Sequence, residues 1–322
     1  MQPNSSSLPK SEHFELEQIG DGVYAAIGVM NSNGGIIDLG DQTLIFDTFE
    51  SHLAAEDLAA AAEALTGRRA TYVIISHAHA DHWCGNQAFG LETPIITTHA
   101  TREEMPKAIG WQLELKENPS EIKRAIHEDR RRLEQEMDPR QRASLELSIR
   151  RMGRWLTDLP RLEIRLPNQT FAGKLIFYGT QRMAELAEVA PGHTVSDAYL
   201  HLPEDRILFM GDLGFFQCQP FMVYCDPNAW VAHLEEMEAS DVQTIVPGHG
   251  PLGTRVDLFL QREYIIIVQG LVARAIQDGL TIEETLQQPL SEPFDAWLHG
   301  GMARWEANVR SMYERLSGAV ES

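Results

Sequence analysis

Short apolar runs separated by glycine turns open the chain: Phe14 to Ile19, Val23 to Ile27, Gly35 to Leu39 and Thr43 to Phe46. Runs of this length between turn residues predict a meander of strands. The pattern then lengthens. His52 to Leu65 is alanine-rich, with apolar positions at helical spacing, and Thr66-Gly67 closes it; Thr71 to Ile75 follows as a buried strand.

Between residues 102 and 160 the rhythm is helical. Ile122, Ile126, Leu133 and Met137 form one stripe and Leu145, Ile149, Met152 and Leu156 another, with Asp138-Pro139 between them, which predicts a helical hairpin. Strand patterns resume from Leu162 to His201 and at Ile207 to Met210, then a helix at Asp226 to Glu238 leads to a strand at Thr244 to Val246. Residues 254–317 read as helical. The chain is therefore α/β, with two similar halves of strands, a helix and histidines near strand ends. Residues 1–12 read as a loose polar tail ahead of one domain, 13–322.

Composition narrows the partners. The 322 residues are 43% hydrophobic, enough for a core without covalent staples, and carry a formal charge of -20 from 47 acidic against 27 basic residues. That balance repels nucleic acid and anionic membrane surfaces and favours a small-molecule substrate. Three cysteines, Cys84, Cys218 and Cys225, make no paired framework and suit a reducing compartment. The apolar run Tyr264 to Val268 is far shorter than the roughly 20 residues a membrane helix needs. With no basic and apolar leader at the start, the cytoplasm is the expected location.

The chemistry sits in histidines and aspartates that follow apolar strands. His77-Ala78-His79-Ala80-Asp81-His82 places four ligand-capable side chains in six residues, and His193, Asp212 and His249 stand in glycine-bearing turns further on. Residues two apart on a strand share a face, so His77 and His79 can point one way, while Asp81 and His82, past the strand end, turn toward a second point. One isolated histidine after a strand is ordinarily a packed or solvent-facing residue. The whole constellation benefits no core and points to metal binding. Imidazole and carboxylate donors suit zinc, and also iron or manganese.

These segments resemble the ordered motifs of the metallo-β-lactamase fold superfamily over roughly residues 22–253. The resemblance implies a four-layer αββα sandwich, with the hairpin and the C-terminal helices as additions. It implies two divalent ions, zinc foremost: His77, His79 and His193 around the first, Asp81, His82 and His249 around the second, and Asp212 bridging them. Asp47 would orient ligand loops from behind, and Asp81 would also be the catalytic proton carrier. In such a site a metal-bridging hydroxide attacks the substrate.

An aspartate at position 212 is similar to family members that cleave thioesters, lactones, phosphodiesters and alkyl sulfates, whereas true β-lactamases generally carry cysteine or serine there. An ester, thioester or lactone hydrolase is therefore the leading expectation. A hydrolytic dehalogenase of chlorinated aromatics, similar to chlorothalonil dehalogenase, and a β-lactamase-like hydrolase are alternatives. An iron oxidoreductase resembling persulfide dioxygenases is the alternative of another class. Trp83, Phe215, Phe216, Phe221 and Tyr224 are candidate apolar pocket walls. The hairpin is expected to cover the cleft or join two copies in a homodimer. Arg130 to Arg132 and Arg150-Arg151 read as its solvated side, and His99 as a further histidine to locate.

Overall fold

The computed structural model describes residues 8–29, 32–300 and 302–318. Its elements follow one another as β1 (Phe14–Gly20), β2 (Val23–Gly28), β3 (Gly34–Asp38), β4 (Thr43–Phe46), α1 (His52–Thr66), β5 (Tyr72–Ile74) and β6 (Ile95–Thr98). Helices α2 (His99–Ala108), α3 (Gly110–Glu117), α4 (Pro119–Gln135) and α5 (Pro139–Asp158) come next. The second half holds β7 (Gln169–Phe171), β8 (Lys174–Tyr178), β9 (Met183–Val189), β10 (Asp197–Leu202), β11 (Ile207–Phe209), α6 (Pro227–Ala239) and β12 (Thr244–Val246). Helices α7 (Arg255–Gln277), α8 (Ile282–Leu286) and α9 (Met302–Ser317) close the chain.

Strands β1 to β7 form one sheet in sequence order, and the other runs β12-β11-β10-β9-β8. Side-chain alternation sorts the apolar residues into layers. Ile37, Leu44, Phe46, Ile74 and Ile96 face inward and meet Leu186, Leu200, Phe209 and Val246 of the second sheet. Their neighbours Ile36, Ile45, Val73 and Ile95 face outward, under α1 and the inserted helices. On the far side Val189, Leu208 and Ile245 are covered by α6, α7 and α9. Central strands that read as continuous apolar runs are thus buried on both faces, and the layering is the expected αββα sandwich. At Gly35 the sheets close so tightly that a β-carbon would lie 2.3 Å from the Phe209 ring.

Local chemistry sets the helix ends. Ser51 caps α1 by accepting from the Ala54 N–H, and Gly67, at φ 71°, ends it in the left-handed region. Asp226 caps α6 through the amides of Asn228 and Ala229. Thr254 and Asp257 form a reciprocal capping box on α7.

The insertion differs from the expected two-helix hairpin. Four helices occupy residues 99–158, and only α4 and α5 are the hairpin. Ile122, Ile126, Leu145 and Met152 are buried as the stripes predicted, but Met137 is 87% exposed because α4 ends at Gln135, before that position. Residues 162–168, expected to open a strand, have no regular structure, and the first strand there is β7. Residues 1–7 of the expected tail lie outside the described residues; 8–11 have no regular structure. No helix of the described residues is long and apolar enough to cross a membrane.

Candidate metal centre

One edge of the sandwich collects the chemistry because of strand direction. β4 and β5 are parallel, so both end there, delivering Asp47 and the segment from Ser76 to His82. β11 and β12 are parallel and deliver Asp212 and His249. β9 is antiparallel to β10, which is antiparallel to β11, so β9 also ends at this edge, ahead of His193. The Ala198 N–H donates to the Ser76 carbonyl at 2.7 Å and ties the two sheets together where the site forms.

The side chains converge in two groups. His77, His79, His193 and Asp212 each offer a ligand atom within 4.8 Å of the others, and so do Asp81, His82 and His249. Asp212 faces both. Its Oδ2 lies 3.5 Å from His77 Nε2 and 3.4 Å from His193 Nε2, while Oδ1 lies 3.0 Å from His82 Nε2 and 3.4 Å from His249 Nε2. Glycine makes the room: a β-carbon on Gly248 would sit 2.0 Å from Asp212 Oδ1, and one on Gly211, at φ 53°, would strike the Ser76 side chain.

A buried network orients these donors. Asp47 holds the left-handed conformation at φ 56°. Its carboxylate accepts from the Ser76 N–H and Oγ, both at 2.8 Å, and from His82 Nδ1 at 2.7 Å. Ser76 Oγ, having given its proton to Asp47, accepts from His77 Nδ1 at 2.9 Å. Both imidazoles are thereby directed into the centre through Nε2. Among the described residues His193 has no hydrogen-bond partner at Nδ1; the Trp230 and Phe215 rings hold it, 5.2 and 5.5 Å away.

The donors fit a cation better than they fit one another. His79 Nδ1 lies 3.0 Å from both His77 Nε2 and His193 Nε2, three imidazole nitrogens crowded around one point. His82 Nε2 and Asp212 Oδ1 are buried and 3.0 Å apart, and among the described residues neither makes a well-formed hydrogen bond. A divalent ion satisfies such lone pairs.

Protonation follows the same geography. Burial lowers the His79 pKa to about 4, with His193 adding to the effect, and drives His77 well below its ordinary value, with His82 reinforcing it. Burial opposes charge on His82 as well, but Asp212, Asp47 and Asp81 outweigh it and raise that pKa well above the usual range. Burial would raise the Asp212 carboxyl, yet His249, His82 and His77 hold it well below ordinary carboxylates. Asp81 is likewise pulled down against burial, by His82 and His249.

All seven sequence-predicted ligand candidates and Asp47 thus meet at one place. The expected pocket walls divide. Trp83 is fully buried, its indole donating to the Ala78 carbonyl, so it supports the ligand loop from below. Phe215 and Phe216 are also buried; Phe215 stacks on His249 at 5.0 Å, so these rings back the centre instead of lining a cleft. Phe221 and Tyr224 do stand beside the centre, each ring 5.9 Å from His79. His99 is exposed and pairs with Glu103 away from the site.

Several participants escaped sequence reasoning. Ser76 joins Asp47 to His77. Ser32 Oγ donates to the Asp81 carbonyl, and Asn33 Nδ2 donates to the carbonyls of Pro247 and Gly250, so the loop before β3 braces both ligand segments. Arg151, read as solvated, instead reaches the buried Glu50 at 3.6 Å and lies over the Trp155 ring. Small polar residues in loops have no periodic signal that would single them out.

Comparison with known proteins agrees with the fold. The profile of the metallo-beta-lactamase superfamily matches residues 27–249. Among solved structures, a metallo-beta-lactamase from Pontibacter korlensis is 17% identical, with a TM-score of 0.55 over 78% of this chain and 98% of its own. One from Erythrobacter litoralis is 16% identical, with a TM-score of 0.56 over 80% and 97%. The stereoselective inverting sec-alkylsulfatase Pisa1 from Pseudomonas sp. is 15% identical, with a TM-score of 0.68 over 95% of this chain and 51% of that one. At these identities the likeness establishes the fold alone. No curated protein matches the chain.

Proposed function

Because the chain belongs to the metallo-β-lactamase superfamily, we propose that it is a hydrolase acting with two divalent ions, zinc foremost, on a small ester, thioester or lactone. The observation that carries this reading is Asp212, whose two oxygens each face a different ligand group. His77, His79 and His193 would hold one ion, Asp81, His82 and His249 the other, with Asp212 spanning them. When bound, such a pair supplies Lewis acidity and lowers the pKa of bound water toward about 7.

The remaining work falls to the chain. Asp81 Oδ2 is 3.3 Å from His249 Nε2, and its partly exposed carboxylate stays ionised at neutral pH, so its other oxygen can accept a proton from attacking water and return it to the leaving group. Asp47 and Ser76 keep His82 and His77 in the orientation that points Nε2 inward. Phe215 and Trp230 exclude water from the buried side. The acidic surface favours uncharged or small substrates over nucleic acids.

Metal analysis of protein expressed without added zinc, followed by assay on lactones, thioesters, carboxylate esters and sulfate esters, tests the reading. Two divalent ions per chain are expected, with turnover sharply reduced in Asp81→Ala and His79→Ala while the fold is kept. Near-wild-type turnover by Asp81→Ala at confirmed metal content would overturn it. So would redox-active iron with oxygen uptake on a persulfide.

A further inference from the structure

A cavity of about 480 Å³ opens beside His79, within the range of small-molecule sites. On one side α2 contributes Lys107 and Ala108 and α3 contributes Trp111; Val195 and the loop bearing Tyr224 complete the lining. Trp111 is 49% exposed and Tyr224 65%. Large apolar rings left in water around one concavity mark a binding surface better than scattered exposure does.

The Trp111 wall is fixed from behind. Its ring meets Trp155 edge-on at 4.7 Å; the Trp155 indole N–H donates to Glu50 at 2.8 Å, and Arg151 covers the same ring at 4.8 Å. A carboxylate buried at the start of α1 therefore locks the insertion onto the body of the fold. The tryptophan it presents is preorganised, so a ligand meets little ordering cost.

The charges at the rim cancel. Lys107 is the one cation among the residues lining the cavity, and its Nζ is held by Glu104 Oε1 at 2.6 Å. No unpaired positive group in this lining waits for a carboxylate or phosphate. We infer that this cavity selects the substrate, gripping between Trp111 and Tyr224 an uncharged aryl or alkyl group that flanks the reacting bond. The inference rests on the hydrolase reading for what reacts, but not for what binds. It disfavours β-lactams, whose fused-ring carboxylate would find no free cation there.

Binding to metal-free protein separates the two. The probes are 4-phenylbutanamide, its anionic twin 4-phenylbutanoate and the ringless butanamide, titrated calorimetrically. The phenyl amide is expected to bind at least about 10-fold more tightly than either comparison compound, from the apolar area it buries. Trp111→Ala should remove that margin and Trp111→Phe should keep most of it, with Tyr224→Ala as an independent test from the opposite wall. Glu104→Gln, by freeing Lys107, should raise affinity for the carboxylate alone. Equal or tighter binding of the carboxylate to the wild type, or indifference to both Trp111→Ala and Tyr224→Ala, would overturn the assignment. Selective phenyl binding without turnover of any ester by metal-loaded protein would leave the pocket standing and remove the hydrolase reading.

Discussion

The ligand edge and the wall facing it are built on opposite principles. At the edge, donors are buried, charged or titratable and are placed by strand direction; Asp47 fixes His82 and Ser76 fixes His77 through a second hydrogen bond, and rings hold His193. The wall is exposed and apolar, carried on one side by inserted helices that pack into the outer core and meet Glu50 through Trp155, and on the other by the Tyr224 loop. Reactivity and selectivity are thus housed on separate elements, and the wall can change without disturbing the edge.

Substitutions should respect that division. The largest effect belongs to Asp212→Ala, which removes the group common to both ligand sets; metal analysis should show less than the wild-type content and turnover should vanish. Asp81→Ala should lower kcat by about 10²–10⁴-fold, the range for a lost proton carrier. Asp47→Asn, which keeps the shape but alters the charge facing His82, should cost about 10–100-fold in metal affinity or activity. Retention of full affinity would show that orientation at the edge does not depend on Asp47.

On the other side, Glu50→Ala leaves the buried Trp155 N–H without its acceptor. Stability should fall by about 1–3 kcal/mol in denaturant titration, and KM should rise more than kcat falls, with metal content unchanged. An equal loss of metal would break the separation.

The shallowest effect is a pH slope in metal-free protein. His79 titrates at about 4 when folded, so its stabilisation is present above about 6.5, its unfolded value, and is lost as pH falls toward 4. His82, raised by its carboxylate neighbours, has the opposite sign: its contribution is complete below about 6.5 and is lost as pH rises through its folded pKa. Comparing wild type with His79→Gln and His82→Gln by thermal melts should give opposite slopes. The Trp111→Ala difference should be flat.

Sequence pattern made the edge legible because ligand chemistry is confined to few residue types and strand ends follow apolar runs. β4 and β12 fall at the expected residues, and the seven candidates plus Asp47 share one location. The wall was legible only in part. Tyr224 was foreseen, but Trp83, Phe215 and Phe216 were assigned to it as well, since an aromatic ring in a loop reads the same whether it points to the core or to the cleft. Trp111 was missed because the short α3 has no long stripe to reveal its orientation. Arg151 and Glu50 were missed as partners because their pairing spans about a hundred positions, and local periodicity carries no such information.

The span from His77 to His249 also sets a timetable. Donors from both sheets meet only after the Ser76 to Ala198 bond and the β11-β12 pair have formed, contacts of wide sequence separation that are slow to close. A cation therefore has no complete cage to enter while the chain is still collapsing. A cation bound to that finished cage would shift the equilibrium toward the native fold by mass action.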